Sequence, residues 1–201
     1  MSAPKDCCRN RRRTRLYRLL FALFLTFIIA ILFVILVIWL VLRPTKPRFS
    51  IQDATIYQFN VTAPNILSTT LQVTLYCRNP NDRIGIYYSK LYVYASYRNQ
   101  QITLPTVILP NYQGHNDITV WSPFLYGSSV PVSTYLTSAL SGDENAGFIP
   151  VSIKLDGRVR WKVGTWISGH YHISVNCPAY MIYSPGSAIR LQQPSGCSVD
   201  V

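Results

Sequence analysis

The sequence lacks the short motifs by which several classes of enzyme are usually recognised. It contains no G-x-S-x-G elbow, no H-E-x-x-H helix, no C-x-x-C pair and no glycine-rich phosphate loop. Nucleophilic, zinc-dependent and nucleotide-dependent reactions therefore have no local signal in this chain. Of only three histidines, His170 and His172 share one predicted strand face, and no third ligand nearby completes a metal site. We expect no catalytic residue, no cofactor and no bound metal.

Acidic residues are also scarce, with 8 Asp and Glu against 19 Lys and Arg. A glycosidase needs two carboxylates about 5–10 Å apart, one of them with a raised pKa. Apart from Asp6, the acids are Asp53, Asp82, Asp117, Asp143, Glu144, Asp156 and Asp200, and most of them fall in predicted turns. A hydrolase that modifies cell walls is therefore the least favoured of the functions considered.

What the sequence does contain is a long apolar stretch. Residues 19–42 include no charge, no glycine and no proline, and as a helix they would extend about 36 Å at about 1.5 Å per residue. That length crosses a hydrocarbon core of about 30 Å, in which the backbone must satisfy its own hydrogen bonds. A cleaved signal peptide has a shorter apolar part that ends in small residues, whereas this stretch runs through Trp39 directly to Arg43. We predict an uncleaved signal-anchor helix over residues 19–42.

Basic residues crowd the N-terminal side of this predicted span. Residues 1–18 hold seven Lys and Arg against Asp6, a net charge of +6, and most of it comes from Arg9, Arg11, Arg12, Arg13, Arg15 and Arg18. Such an excess marks the cytosolic flank of a membrane helix, where it attracts anionic lipid. We expect residues 1–18 in the cytosol and residues 43–201 outside it. The other positive charges are spread along the chain, so we expect no nucleic-acid partner.

The cysteines and one sequon fit this topology. Cys7 and Cys8 lie beside the span and are candidates for acylation, with two free thiols as the alternative. Beyond the span, Cys177 and Cys197 are the favoured disulfide pair, because Cys77 falls on the apolar face of a predicted strand and suits a small buried residue. Asn60-Val61-Thr62 is a glycosylation sequon, and a glycan on Asn60 would place this part of the chain outside the cytosol.

Apolar and polar residues alternate with a period of two in much of the remaining chain, as expected for strands with one buried face. The pattern runs over residues 71–77, 84–97, 118–121, 151–163 and 171–177, and over the odd positions Phe49, Ile51, Tyr57, Phe59 and Val61. Helical spacing replaces it from Val132 to Leu140, after Pro131, and predicts one short helix. Residues 142–147 have the composition of an exposed loop, and Asp156-Gly157 is expected to bend or bulge its strand.

Tyr76, Tyr92 and Tyr94 occupy the parity opposite to the apolar residues of their strands. Such outward tyrosines could form a face that binds sugars or other partners, because the ring is apolar and its hydroxyl is polar. Packing against another element of the domain is the alternative.

The segment Asn79-Pro80-Asn81-Asp82-Arg83-Ile84-Gly85-Ile86-Tyr87-Tyr88 can be structural, since proline ends a strand and asparagine side chains bond to nearby backbone. A partner-binding surface is the alternative. The segment resembles the signature of a land-plant membrane family, the harpin-induced and non-race-specific-disease-resistance-like proteins. The resemblance also covers residues 109–115 and 158–164, Cys177 and Cys197-Ser198-Val199. The signature normally continues with Asp where this chain has Ser89, so no role of that carboxylate carries over.

The resemblance implies a group-two late-embryogenesis-abundant domain of fibronectin-like form, located mainly at the plasma membrane and involved in pathogen and stress responses. With the residue patterns, it predicts a mainly β chain: a fibronectin- or immunoglobulin-like antiparallel β-sandwich with one short helix, preceded by a single transmembrane helix. The expected parts are a basic tail (1–18), the span (19–42), a spacer (43–48), the sandwich (49–180) and a C-terminal extension (181–201).

The favoured function is a non-enzymatic, single-pass membrane protein of plant defence, whose extracellular sandwich binds a protein or a cell-wall partner. The sequence does not identify that partner. The alternative is a module that binds lipid or another apolar ligand near the bilayer, which would require an apolar groove in the sandwich.

Overall fold

The computed structural model describes residues 5–42, 45–62, 65–184 and 186–201, and for residues 5–16 and 38–42 it describes the backbone alone. The chain forms two compact units, one ending at residue 44 and one covering Thr45–Val201, here called the β domain. Arg43 and Pro44 of the predicted spacer lie outside the described residues, as do the side chains of Cys7, Cys8, Arg9, Arg11, Arg12, Arg13 and Arg15.

The secondary structure comprises two helices and fourteen strands in the described residues. In chain order they are α1 (Lys5–Leu42), β1 (Arg48–Thr62), β2 (Ile66–Arg78), β3 (Gly85–Tyr97), β4 (Gln100–Gln101), β5 (Thr106–Ile108), β6 (Asn111–Gln113), β7 (Ile118–Trp121), β8 (Phe124–Pro131), α2 (Thr134–Ala146), β9 (Phe148–Val163), β10 (Trp166–Ile167), β11 (Tyr171–Ile182), β12 (Ile189–Leu191), β13 (Ser195–Gly196) and β14 (Ser198–Asp200).

Helix α1 contains the apolar stretch. Within it, Tyr17–Val37 is a 21-residue segment with a mean hydropathy of 3.3, long and apolar enough to cross a membrane. Its large apolar side chains are exposed, and the hydroxyl of Thr26 donates to the carbonyl of Leu23 within the helix. The prediction of an N-terminal apolar helix able to span a membrane is confirmed. Arg18 is exposed at the N-terminal end of this segment.

The strands of the β domain pair antiparallel in the order β4-β3-β9-β11-β12-β1-β2-β7, and β8 continues beside β2. Short β12 joins one half, built on β3, β9 and β11, to another built on β1, β2, β7 and β8. The two halves pack face to face, as the contact between the ring of Phe49 in β1 and the edge-on ring of Tyr88 in β3 shows. Their inward side chains form one apolar cluster. The predicted mainly β, antiparallel fold is confirmed.

Strand β1 departs from the simple alternation that the sequence suggested. Its pairing with β2 shifts register between Ile51 and Asp53 and again between Ile56 and Gln58. Each bulge changes which parity faces inward, so Ala54 and Ile56 are buried. The expectation that Tyr57 continues the inward face is therefore wrong, and 58% of it is exposed. The second bulge restores the odd parity, so Val61 lies opposite buried Leu67, although 38% of Val61 is exposed.

Strand β9 continues through Asp156 and Gly157 without a register shift against β11, so the bulge expected in it is wrong. The irregularity lies in the partner strand, where β3 shifts register between Tyr88 and Lys90 and leaves Ser89 as the extra residue. Gly157 remains necessary for another reason. A Cβ atom at that position would overlap the backbone carbonyl oxygen of Lys90.

Helix α2 is longer than predicted, and the loop expected at residues 142–147 is wrong over most of its length. Ser133, rather than Pro131, caps the start by accepting a hydrogen bond from the backbone N–H of Leu136. The helix passes Gly142 and ends at Gly147, which has φ 84° and donates to the carbonyls of Asp143 and Glu144. Leu136 and Leu140 are buried in the core cluster.

The residues expected to form a C-terminal extension belong to the β domain. Strands β12 and β13 pair with β1, and β14 pairs with β11. A disulfide joins Cys177 in β11 to Cys197, between β13 and β14, and these are the two cysteines that the sequence favours as a pair.

Candidate binding site: a tyrosine-lined cleft on a basic face

The first part of the family motif is buried rather than exposed to a partner. The side chain of Asn79 is fully enclosed, and its amide donates to the carbonyls of Ile84 (2.7 Å) and Gly114 (2.8 Å). Its oxygen accepts from the backbone and the side-chain amide of Asn81. Asn79 therefore connects two loops at one end of the sandwich, and both polar atoms of its side chain are used in full.

Asn81 attaches the first residue of the β domain to this network. Its side-chain oxygen accepts from the backbone N–H and the hydroxyl of Thr45, and its amide donates to the carbonyl of Thr45 at 2.7 Å. Thr45 follows Leu42, the last residue of α1, by three positions. The Asn79-Pro80-Asn81 segment thus serves the structure of the domain at the point where the chain enters it.

The second part of the motif alternates between the core and the surface. Ile84, Ile86 and Tyr88 are buried, whereas Arg83 is exposed and Tyr87 is half-buried on the outer face of β3. Gly85 has no side chain to collide with the ring of Tyr112, which lies against its backbone.

A small polar cluster is enclosed in the core between β2, β3 and β6. The hydroxyl of Tyr88 donates to the side-chain oxygen of Gln113 at 2.9 Å and lies 3.2 Å from the sulfur of Cys77. The amide of Gln113 donates to the carbonyls of Cys77 and Asp117. Burial raises the pKa of Cys77 to about 12, despite hydrogen bonds to Tyr88 and Gln113 that lower it. The predicted small buried residue at Cys77 thus has polar neighbours.

We expect Cys77 to be unreactive in the folded chain, because the reactive thiolate is scarce when the thiol pKa is about 12. In a Cys7→Ser, Cys8→Ser background, iodoacetamide at pH 8 should label Cys77 more than about a hundredfold more slowly than an exposed thiol introduced by Ser138→Cys. Since folding raises this pKa, the contribution of the neutral thiol to stability is complete below pH 9 and is lost as pH rises towards 12. Native-state labelling at the rate of the control thiol would contradict this burial.

Beside this cluster, the outer surface of β3, β6 and β9 forms an open cleft of about 410 Å³, lined by Tyr87, Tyr88, Ser89, Pro110, Asn111, Tyr112 and Arg160. The rings of Tyr87 and Tyr112 lie 4.5 Å apart between centroids. The ammonium of Lys162 lies 5.1 Å from the Tyr112 centroid, and the guanidinium carbon of Arg160 lies 5.7 Å from that of Tyr87. Two cations are thus held against two aromatic faces.

The cleft belongs to a larger surface in which tyrosines and basic residues alternate across β3 and β9. Directly opposed pairs share one face of a sheet, and here they include Tyr87 with Arg160, Lys90 with Arg158, and Tyr94 with Lys154. We call this surface the basic–tyrosine face; its residues are Tyr87, Lys90, Tyr92, Tyr94, Tyr112, Lys154, Arg158, Arg160 and Lys162. One acid, Asp156, lies on the same surface opposite Tyr92 and contacts His172 (3.1 Å), and Asp200 of the same layer pairs with Lys46 (3.7 Å).

Sequence reasoning found only part of this surface. Of the three tyrosines expected to share a face, Tyr92 and Tyr94 lie on β3, but Tyr76 lies on β2 in the opposite layer, so the expected single face is wrong. The basic members were present as a recognisable pattern, because Arg158, Arg160 and Lys162 alternate with Val159 and Trp161. Tyr112 had no such signal, since its three-residue strand is too short to show alternation.

The remaining predicted site residues lie elsewhere. Asn60 is exposed in β1 and lines a second open cleft, of about 260 Å³, together with Tyr57, Ser184 and Ser187. His170 and His172 are exposed, and His172 pairs with Asp156. In the part of the chain that the structure describes, no group of three His, Cys, Asp or Glu could hold a metal ion.

The fold defines a class of protein: a chain with one N-terminal helix able to span a membrane, followed in sequence by an antiparallel β-sandwich. Residues 74–177 match the LEA_2 family, Late embryogenesis abundant protein. The chain is 50% identical to NDR1/HIN1-like protein 12 of Arabidopsis thaliana, over 81% of each chain. It is likewise 50% identical to NDR1/HIN1-like protein 1 of the same plant, over 81% of this chain and 83% of that one, and 43% identical to protein 26, over 72% and 69%. The chain therefore belongs to the NDR1/HIN1-like family.

Proposed function

We propose that this chain is a non-enzymatic, single-pass membrane protein that presents the β domain outside the plant cell for binding, in defence or stress responses. The observation that carries the proposal is the combination, in one chain, of the apolar helix Tyr17–Val37 with a domain whose outer surface offers ordered tyrosines and cations. The helix holds the protein at the membrane, and the basic–tyrosine face contacts the partner. Membership of the NDR1/HIN1-like family supports the setting in plant defence.

Charge and cysteine chemistry support the orientation. The seven basic residues of positions 1–18 support a cytosolic location of that end at the plasma membrane, next to anionic lipid. A disulfide between Cys177 and Cys197 is suited to the oxidising side of the membrane. Asn60 is exposed and so is accessible to the glycosylation machinery. Cys7 and Cys8 would lie at the cytosolic surface, where acylation would add a second membrane anchor beside the helix.

The side chains lining the two clefts support binding rather than hydrolysis. Neither cleft has Asp or Glu in its lining, although a glycosidase works with two carboxylates about 5–10 Å apart. Asp143 binds Arg98, and Asp156, opposite Tyr92 on the outer face of β9, binds His172; neither acid lines either of these clefts. The alternative of an apolar ligand is less well supported, because tyrosine, asparagine, serine and arginine dominate the lining of the larger cleft.

The orientation is tested by glycosidase treatment of membrane fractions from plant cells. We expect a mobility shift in the wild type, loss of that shift in Asn60→Gln, and retention in Thr62→Ser, which preserves the sequon. Sealed vesicles with the cytosolic side outwards should protect the β domain from added protease. Digestion of the β domain in those vesicles, with the membrane intact, would contradict the proposal.

A further inference from the structure

The cleft contains hydrogen-bonding groups that the protein itself does not satisfy. Among the described residues, three buried side-chain polar atoms have no partner, and two of them, Nε of Arg160 and Oγ of Ser89, belong to residues that line this cleft. An unpaired buried polar atom costs about 1–3 kcal/mol, so such atoms are usually satisfied by water or a ligand. The Nε–H of Arg160 can only donate, and its partner must therefore be an acceptor.

The neighbouring charges specify an anionic acceptor. Lys162 and Arg160 are held against the rings of Tyr87 and Tyr112, which fixes two cations without neutralising them. Arg158 continues the row, and alternate residues of a strand lie about 6.8 Å apart. The row Arg158, Arg160, Lys162 thus presents positive charge at a regular interval along β9, and Arg160 lies in the lining of the cleft. A repeating polyanion matches this arrangement better than a single small anion does.

The other residues that line the cleft favour a sugar chain over an acidic peptide as its ligand. Peptides that bind through side-chain anchors need pockets for them, and Pro110 is the only aliphatic residue in this lining. Tyrosine, asparagine and serine supply hydroxyl and amide groups beside an aromatic surface, of which 39% of Tyr112 and 38% of Tyr92 remain exposed. A sugar ring offers its hydroxyls to the hydroxyl and amide groups of the lining, and the apolar face of the ring to the tyrosine rings.

We infer that the basic–tyrosine face binds a carboxylate-bearing polysaccharide, with the carboxylates at Arg158, Arg160 and Lys162 and a sugar ring in the cleft between Tyr87 and Tyr112. The inference rests on the proposed function, because the orientation outside the cell brings the β domain next to such polymers. Rotation of the Arg160 side chain would bring its enclosed Nε to such a carboxylate and give it an acceptor. Ser89 Oγ can turn towards a sugar hydroxyl.

The test uses the full chain in neutral detergent, with Arg9, Arg11, Arg12, Arg13 and Arg15 changed to Gln, because the basic tail would itself attract polyanions. The probe is polygalacturonate, and its fully methyl-esterified form is the uncharged control. Arg160→Gln with Lys162→Gln should weaken binding of polygalacturonate at least tenfold. Arg78→Gln with Arg190→Gln removes the same charge from exposed positions on β2 and β12 and should change binding less than twofold.

A third variant leaves every cation in place. Ser89→Asp introduces a carboxylate into the cleft wall, where it would compete with the polysaccharide for Arg160, and we expect it also to weaken binding at least tenfold. Thermal unfolding of each variant shows whether the β domain remains folded, and Ser89→Asp remains informative if the double variant does not fold. Binding should also weaken as salt rises, because the contacts are ionic.

Several results would overturn the inference. These are equal binding of the esterified polymer, equal losses in the Arg78 and Arg190 control, or tighter binding of polyglutamate or single-stranded DNA than of polygalacturonate. Failure of polygalacturonate to bind, with the glycan on Asn60 present, would remove this inference and leave the proposed orientation standing. A β domain located in the cytosol would remove both.

Discussion

Replacing Gly157 by alanine should lower the free energy of unfolding by about 3 kcal/mol or more. Gly157 lies on the inward face of β9, directly opposite Leu91 at the register shift of β3. A Cβ atom there would overlap the carbonyl oxygen of Lys90 and would also press on the side chain and Cα of Leu91. Backbone atoms cannot turn away as a side chain can, so two core strands would have to separate.

Gly142→Ala is the matched control for this substitution. It adds the same methyl group inside α2, where nothing lies within 4 Å of the new Cβ atom, and alanine favours a helix over glycine by about 1 kcal/mol. Urea denaturation of the full chain in detergent should therefore shift in opposite directions for the two variants. A Gly157→Ala variant as stable as the wild type would show that β3 and β9 do not approach as closely as described.

Asn79→Ala should cost about 3 kcal/mol or more, as the loss of a buried hydrogen-bonding network does. Truncation leaves the carbonyls of Ile84 and Gly114 without their donor and removes the acceptor used by Asn81. These groups are enclosed, so water does not readily replace the lost partner. We expect the loops around Ile84 and Gly114 to show faster amide hydrogen exchange in the variant.

Asn176→Ala provides the comparison, because Asn176 is exposed on β11 and its removal should change stability by less than about 0.5 kcal/mol. If both alanine variants unfolded at the same urea concentration, Asn79 would not have the structural role assigned to it. Asn79→Ala and Arg160→Gln also distinguish the structural role of the buried asparagine network from the binding role of the cleft. The first should reduce stability, and the second should reduce binding while the domain remains folded.

Most of the fold follows from local patterns in the sequence. Strands β2, β9 and β11 keep one parity inward throughout, so their alternation is enough to predict their buried faces. Bulges break this rule, and β1 has two of them that no residue in the sequence predicts. In α2, helical spacing is recognisable only as far as Leu140, and the glycines and polar residues that follow suggested a loop, whereas the αL geometry at Gly147 ends the helix.

The candidate site is harder to predict because it is assembled across strands. Tyr87, Tyr112 and Arg160 come from β3, β6 and β9, and their contact depends on a register that alternation alone does not define. The motif signal at residues 79–88 pointed mainly to structural residues, since Asn79 and Asn81 are buried and Tyr87 alone among its aromatic residues reaches the outer face. A motif can thus identify a family while the surface that binds a partner lies beside it.

The hydrogen bonds between Asn81 and Thr45 have a mechanical consequence. Any pull between the bilayer and a partner held by the β domain reaches that domain through Thr45, the first residue of its compact unit. Three hydrogen bonds pass the load to Asn81, then through Asn79 to the loops at Ile84 and Gly114. Tension would thereby be shared among several loops before it could separate β1 from β2, as the proposed attachment to a membrane at one end and to a polysaccharide at the other would require.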